Sequence, residues 1–495
     1  MRLLVDRSPI KVYPDPKRVI ARFFFSQDER AKELILRVMA LSEEDVFTII
    51  SPLLQEYSRR HRNITKILNR HCDKVKRLFT EVGIDYAELN QFRKLLIGSY
   101  FTHEYSIESA AFFNPSIVED PDQTELVEGQ KRMIISFRAV GEGHISSIVF
   151  RRALVEKNGD LYVLPAGNYI DEAEIVRNAV YVKKFFFGKA EDSNIDNNVL
   201  GNVKSKLGDK FEYQELRNVI VALKNEQTSD EAKLDYDKVL WLSDSYHDIS
   251  FSKDTDISDR VIFPISEFEK KGIEDARFVK FTNDDGSTIY YATYTAYDGQ
   301  MIMPKLLQTT DFYDFKICPL YGAGAQNKNL ALFPRKINGK FVMMSRIDGW
   351  NNYIMYSDKI LVWESPELLQ QPHAAWEYIQ IGNCGSPIET EDGWLIITHG
   401  VGPMRRYCLG ASLLKLDDPS VEIGRLSEPL IVPNKDEREG YVPNVLYSCG
   451  SIIHNKKLII PYGLSDYCSS FATVDINALL DKLKSKSSSL YDLFI

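Results

Sequence analysis

The sequence predicts an all-β main domain, a five-bladed β-propeller, preceded by an α-helical N-terminal extension. Three observations carry this. From Asp28 to about Ile97 the apolar periodicity is helical. After it come short β-branched and aromatic runs separated by hairpin turns. Two successive intervals between those turns are 53 and 54 residues, a period of one meandering sheet per repeat.

The chain opens on strand-like segments, Val12-Tyr13 and Val19 to Phe25. From Asp28 to about Ile97 the pattern is helical. Ser42-Glu43-Glu44-Asp45 reads as a capping box, because a serine hydroxyl and an acid three residues on can satisfy each other's backbone N–H groups. Val46, Ile49, Ile50, Leu53 and Leu54 then fall on one helical stripe. The basic run Arg59-Arg60-His61-Arg62, with Lys66, Arg70, Lys74 and Arg77, reads as a solvated helix face rather than a binding patch. Residues 1–97 thus form a strand and helical extension, and its apolar stripe suggests a homo-oligomer joined through the N-terminal helices.

Residues 98–495 form the propeller. Asn158-Gly159, Asp285-Gly286, Asn338-Gly339 and Asp392-Gly393 are two-residue hairpin turns, favoured because their backbones accept positive φ; Asn455-Lys456 is a fifth without the glycine. Five turns predict five blades. A larger gap near residues 190–250 holds a charged, partly helical insertion (Asp209 to Leu223, Glu231 to Leu242), and a short helix ends the chain.

Composition narrows the function. The 495 residues are 44% hydrophobic, enough for a large core. Lys and Arg total 61 against 70 Asp and Glu, a net charge of −9 that speaks against a nucleic-acid partner. No stretch is long and apolar enough for a membrane span, and the N-terminus lacks a secretory apolar run. Six scattered cysteines show neither CxxC nor zinc-ligand spacing, so free buried thiols in a cytoplasmic protein without a metal site are expected.

No nucleophile elbow, P-loop, zinc-protease helix or dinucleotide fingerprint is present. What remains is carboxylate acid chemistry with Arg, His, Asn and Tyr for binding, the inventory of glycoside cleavage. Three segments set polar residues among apolar strands. The first is Gly272-Ile-Glu-Asp-Ala-Arg277; on a regular strand Glu274 and Asp275 point to opposite faces, so one of them enters a cleft. The second runs from Gly385 through Glu389 to His399-Gly400. The third runs from Glu437 through Glu439 to Asn444, followed by Tyr462-Gly463 and Asp466.

Over about residues 105–485 these segments resemble glycoside hydrolase family 130, the β-mannoside phosphorylases and β-mannosidases. The resemblance rests on Phe113-Asn114-Pro115 with Arg138, on Gly272 to Arg277, and on Leu332-Phe333-Pro334 to Gly339. It continues through Pro387-Ile-Glu-Thr390, Gly393-Trp394, His399-Gly400, Tyr407, Gly410, Leu416 to Pro419, Gly440 to Asn444, and Tyr462-Gly463. The resemblance implies a five-bladed propeller and an inverting reaction on a mannose-containing oligosaccharide such as mannobiose, with β-1,2 among the candidate linkages. Asp275 is then the proton donor, acting through the mannose 3-hydroxyl. Arg277, Arg346, His399 and Asn444 match positions around the sugar or an anion; Asn114, Arg138, Lys328, Asn329, Tyr407, Tyr462 and Asp466 complete the expected binding set. No cofactor is needed beyond inorganic phosphate, the co-substrate of a phosphorylase. Two departures stand out: Ala276 replaces the family's Pro, and Gln380 replaces a Lys that its phosphorylases tend to carry. Loss of that charge favours hydrolysis by a Glu-activated water, with Glu389 and Glu439 both candidate bases. Lys328, Arg346 and His399 keep open the alternative, phosphorolysis to mannose 1-phosphate. A non-catalytic sugar-binding propeller is the third reading.

Overall fold

The computed structural model describes residues 3–176, 180–191, 195–299 and 301–485. Among the described residues the strands form five larger, mainly antiparallel sheets and two two-stranded ones. Counted from one edge of each larger sheet, their first strands are Ala111–Glu119, Ile273–Thr282, Ala331–Leu332, Gln380–Asn383 and Leu446–Tyr447. Each sheet touches the next, and the fifth touches the first: Lys457–Leu464 and Cys468–Asp475 pack on Ala111–Glu119.

Strand alternation builds this ring. In the third sheet Met343 packs with Phe281 and Tyr291 of the second, while its neighbours Val342 and Met344 pack with Trp394 and Ile396 of the fourth. In the fourth sheet Leu395 and Ile397 turn the other way, onto Leu446 and Leu458 of the fifth. Successive residues on one strand thus serve two different interfaces, so these strands are apolar on both faces. The predicted turns fall one to a sheet, with positive φ at Gly159, Gly286, Gly339 and Gly393, and at both Asn455 and Lys456.

The N-terminal segment is less separate than the boundary at residue 97 implies. Val5–Val12 pairs antiparallel with Cys468–Asp475, so the start of the chain supplies a strand of the last sheet. Five helices follow: α1 (Asp28–Met39), α2 (Glu43–Tyr57), α3 (Ile64–Lys74), α4 (Lys76–Glu81) and α5 (Gln91–Tyr100). The capping box at Ser42 and Asp45 forms. Val46 and Ile50 are fully buried and Ile49 is 38% exposed. α3 and α5 approach so closely that a Cβ at Gly98 would lie 2.0 Å from the Leu68 carbonyl oxygen. The basic run remains a largely exposed face whose side chains also form ion pairs: Arg60 and His61 bind Glu104, Arg62 pairs with Asp254, and Lys66 with Glu174.

The predicted insertion is helical at Lys183–Glu191, Asn197–Ser205, Tyr213–Asn225 and Asp230–Ser243 and packs on the first two sheets. The C-terminal helix is Ile476–Lys484. Among the described residues no helix is long and apolar enough to cross a membrane, and no cluster of metal-ligand type occurs.

Candidate active site

The first strands converge on a cavity of about 340 Å³, and every sheet contributes to its wall. Asn114 comes from the first sheet, Glu274 and Asp275 from the second, and Lys328 and Asn329 from the approach to the third. Gln380 comes from the fourth and Tyr447 from the fifth; Arg138, Arg346, Arg405, Tyr407 and Asp466 close the rim.

Two β-bulges aim the central groups. Phe113 faces Arg138 and Ser116 faces Ser136, so three steps on one strand match two on its partner. The same offset separates Glu274, facing Thr295, from Arg277, facing Thr293. Each bulge holds one residue in the left-handed region, Asn114 at φ 50° and Asp275 at φ 56°. An extra residue turns side chains that a regular strand would send to opposite faces. This corrects the alternation argument: Glu274 and Asp275 both line the cavity. Ala276 in place of proline is compatible with the bulge, since Asp275 still adopts the left-handed conformation.

Asn114 Nδ2 donates to Asp275 Oδ1 at 2.7 Å, and Arg138 Nη1 lies 3.8 Å from the same oxygen. Burial alone would raise the Asp275 pKa. The nearby charges of Arg138, Arg277 and Lys328, with the Asn114 hydrogen bond, outweigh it and hold the carboxyl below the ordinary range. Glu274 binds Arg138 (2.7 Å) with one oxygen and Lys328 (2.6 Å) with the other. Asp466 behaves oppositely: burial and the like charges of Asp275 and Glu274 prevail over Arg138 and push it up to about 6. Two carboxyls in one cavity thus have pKa values driven apart, a pattern of acid–base sites.

Arg346 Nη1 donates to His399 Nε2 at 3.2 Å. Burial, then Arg346 and Arg277, hold the His399 pKa well below its usual value, so the ring is neutral. Nε2 being the acceptor, the proton sits on Nδ1, 3.7 Å from Cys384 Sγ. A Cβ at Gly382 would meet the ring at 2.3 Å, which requires glycine there. The Tyr447 hydroxyl accepts from Arg277 (2.7 Å) and Asn329 (3.0 Å), which leaves its own proton to donate.

The predicted residues divide accordingly. Asn114, Arg138, Asp275, Lys328, Asn329, Arg346, Tyr407 and Asp466 come together around the cavity. Arg277 and His399 stand behind its wall and touch it through Tyr447 and Arg346. Four residues do not line it. Glu389 faces Trp394, five residues along the strand from His399 (roughly 17 Å at strand rise) and forms a two-pronged pair with Arg335. Glu439 is exposed. Asn444 sits beside the rim, its Oδ1 held by Arg438, and Tyr462 is wholly buried and donates to Glu437. Sequence reasoning missed Arg405 and Tyr447, which no local pattern marks.

Residues 225–485 match the Glyco_hydro_130 family, described as beta-1,4-mannooligosaccharide phosphorylase. A 1,2-beta-oligomannan phosphorylase of Thermoanaerobacter sp. is 35% identical over 227 residues, 43% of this chain and 71% of that protein. A beta-1,2-mannobiose phosphorylase of Listeria innocua is 27% identical over 361 residues, 71% of this chain and 95% of that one. A solved structure of a beta-1,2-mannobiose phosphorylase from Listeria innocua, with beta-1,2-mannobiose bound, is similar at a TM-score of 0.44 and 22% identity, covering 77% of this chain and 94% of the other.

Proposed function

Because the chain belongs to glycoside hydrolase family 130, an enzyme family acting on glycosides, we propose that it is a phosphorylase of β-1,2-linked mannooligosaccharides, its ring of five sheets a five-bladed propeller. One observation carries the choice of phosphorolysis over hydrolysis. Glu389 and Glu439, the two expected bases, do not line the cavity, whereas Arg346 faces it with no carboxylate in ion-pair range among the described residues. This supports an anion as the nucleophile over a water activated by either of those glutamates. The naming of the relatives as phosphorylases supports the same reading.

Asp275 and Asp466 flank the sugar in this reading, and phosphate lies toward Lys328 and Arg346. A phosphate oxygen attacks the anomeric carbon from the face opposite the departing oxygen. The C1–O bond breaks, and the leaving oxygen takes the 3-hydroxyl proton, which Asp275 replaces. The products are α-mannose 1-phosphate and an oligosaccharide one residue shorter. In the free enzyme Asp275 is ionised, the form that accepts a proton in the reverse reaction. Phosphate arriving beside Lys328 and Arg346 adds negative charge, which raises the Asp275 pKa and favours the protonated form needed for cleavage.

The reading extends to a cytoplasmic enzyme needing no cofactor but phosphate, with its helical extension ending near residue 97. Phe47 and Phe92 pack edge to face, 5.3 Å apart, while 52% and 45% exposed; this supports self-association through the helices, which light scattering tests.

The deciding experiment incubates the enzyme with β-1,2- and β-1,4-mannobiose, with and without phosphate. Mannose 1-phosphate formed from the β-1,2 substrate, and only with phosphate, is expected. Equal release of free mannose without phosphate identifies a hydrolase, and binding without turnover a lectin.

A further inference from the structure

We propose that Arg405, carried on a strained turn at the cavity rim, captures the phosphate co-substrate and supplies the second uncompensated positive charge beside Arg346. The proposal rests on the phosphorylase reading.

The charge balance of the cavity comes first. Four cationic side chains line it. Arg138 and Lys328 are both tied to Glu274. Among the described residues Arg346 and Arg405 have no carboxylate within ion-pair distance; Arg346 donates to a neutral imidazole, and Arg405 Nη2 reaches only the Tyr407 hydroxyl, at 3.4 Å. A phosphate dianion needs more than one free positive charge, and Arg405 is the remaining one. Its guanidinium fork can meet two phosphate oxygens at once.

The backbone is the second observation. The hairpin from Gly393–Val401 to Tyr407–Leu414 closes through Gly402 to Arg406, with the Gly402 N–H donating to the Arg406 carbonyl at 3.1 Å. Gly141 to Ile145 of the first sheet forms the same turn, with the matching bond at 3.0 Å. There the two left-handed positions are Gly143 (φ 64°) and His144 (φ 60°); here they are Met404 (φ 58°) and Arg405 (φ 51°). The first sheet has glycine at the first of these two positions; the fourth has methionine there, so both of its left-handed residues carry side chains. Met404 is 92% exposed, so packing does not explain the turn, which leaves Arg405 in the cavity wall as its consequence.

Gln380 is the third. It pairs with Val401, where this hairpin begins, and lines the same wall with an uncharged amide. The local charge comes from the turn above it instead.

The test is steady-state phosphorolysis of β-1,2-mannobiose at varied phosphate. Arg405→Gln should raise KM for phosphate by ~10- to 100-fold, the value of a charge-assisted hydrogen bond, while KM for mannobiose moves little and kcat at saturating phosphate falls far less than kcat/KM. Arg405→Lys should fall between, keeping charge but losing the fork. Adding Gln380→Lys to Arg405→Gln should recover much of the phosphate affinity. A KM for phosphate within twofold of the parent's in Arg405→Gln overturns the proposal alone. A parent enzyme indifferent to phosphate overturns it together with the phosphorylase reading.

Discussion

Replacing Asp275 by asparagine isolates the proton from everything else that residue does. Asparagine is nearly isosteric, can accept the same hydrogen bond from Asn114 Nδ2, and is among the side chains most at ease at φ 56°. The bulge and the sugar pocket should therefore survive. What goes is the acid. General acid catalysis contributes roughly 10²–10⁴ in rate, or about 3–5 kcal/mol of barrier at 1.36 kcal/mol per tenfold. The lost negative charge also leaves Arg138 and Lys328 less neutralised, so KM for phosphate should stay level or drop. The assay compares phosphorolysis of β-1,2-mannobiose with that of a 2,4-dinitrophenyl β-mannoside, whose leaving oxygen needs no proton. Mannobiose turnover should fall by the full factor and the activated substrate by much less. Equal losses on both, or undiminished turnover of mannobiose, would refute the role given to Asp275.

Other consequences are as concrete. Glu389→Gln should leave turnover within twofold and stability within about 1 kcal/mol, because its partner Arg335 is a half-exposed surface group; a large loss of activity would restore Glu389 as a base. Burial pushes the Asp466 pKa up to about 6, so if its ionised form receives the sugar's hydroxyls, kcat/KM for mannobiose rises with pH through 6 to a plateau, and Asp466→Asn removes that limb; a flat profile from pH 5 to 7 in the parent contradicts it. Away from the site, Lys305 and Glu269 form a buried pair at 2.8 Å; Lys305→Met strands the carboxylate and should cost about 3–5 kcal/mol in urea unfolding, most of it regained on adding Glu269→Gln. Burial alone would raise the Glu269 pKa, but Lys305 and His247 hold it down to about 2, below an unfolded value of about 4.3. The contribution of this ionised carboxylate with all its partners, about 3 kcal/mol, is therefore present above about pH 5 and fades as pH falls toward 2, which acid titration of the parent against Glu269→Gln will read.

What could be read from the sequence, and what could not, follows the range of the forces involved. Hairpin turns were legible because positive φ is a local demand that glycine or asparagine answers, as at Gly286 and Gly339. Asp275 was legible through its motif. The alternation rule then separated it from Glu274 wrongly, because nothing in Glu-Asp-Ala-Arg announces an extra residue between two ladder contacts. Glu389 and Tyr462 misled for a different reason. Periodicity tells which face of a strand a residue occupies, not how far along the strand it lies from the ring's centre, and Glu389 pairs with Trp394, near the end of Gly393–Val401 away from His399. Tyr447 was invisible because its meaning lies in partners 170 and 118 residues away. Arg405 combines both failures: an ordinary-looking basic turn becomes informative only beside Gly143, where the same backbone turn uses glycine at one of its two left-handed positions. The cavity thus draws a left-handed residue from each wall, Asn114, Asp275, Asn329, Arg405 and Asp466, and ring closure brings them to face one another.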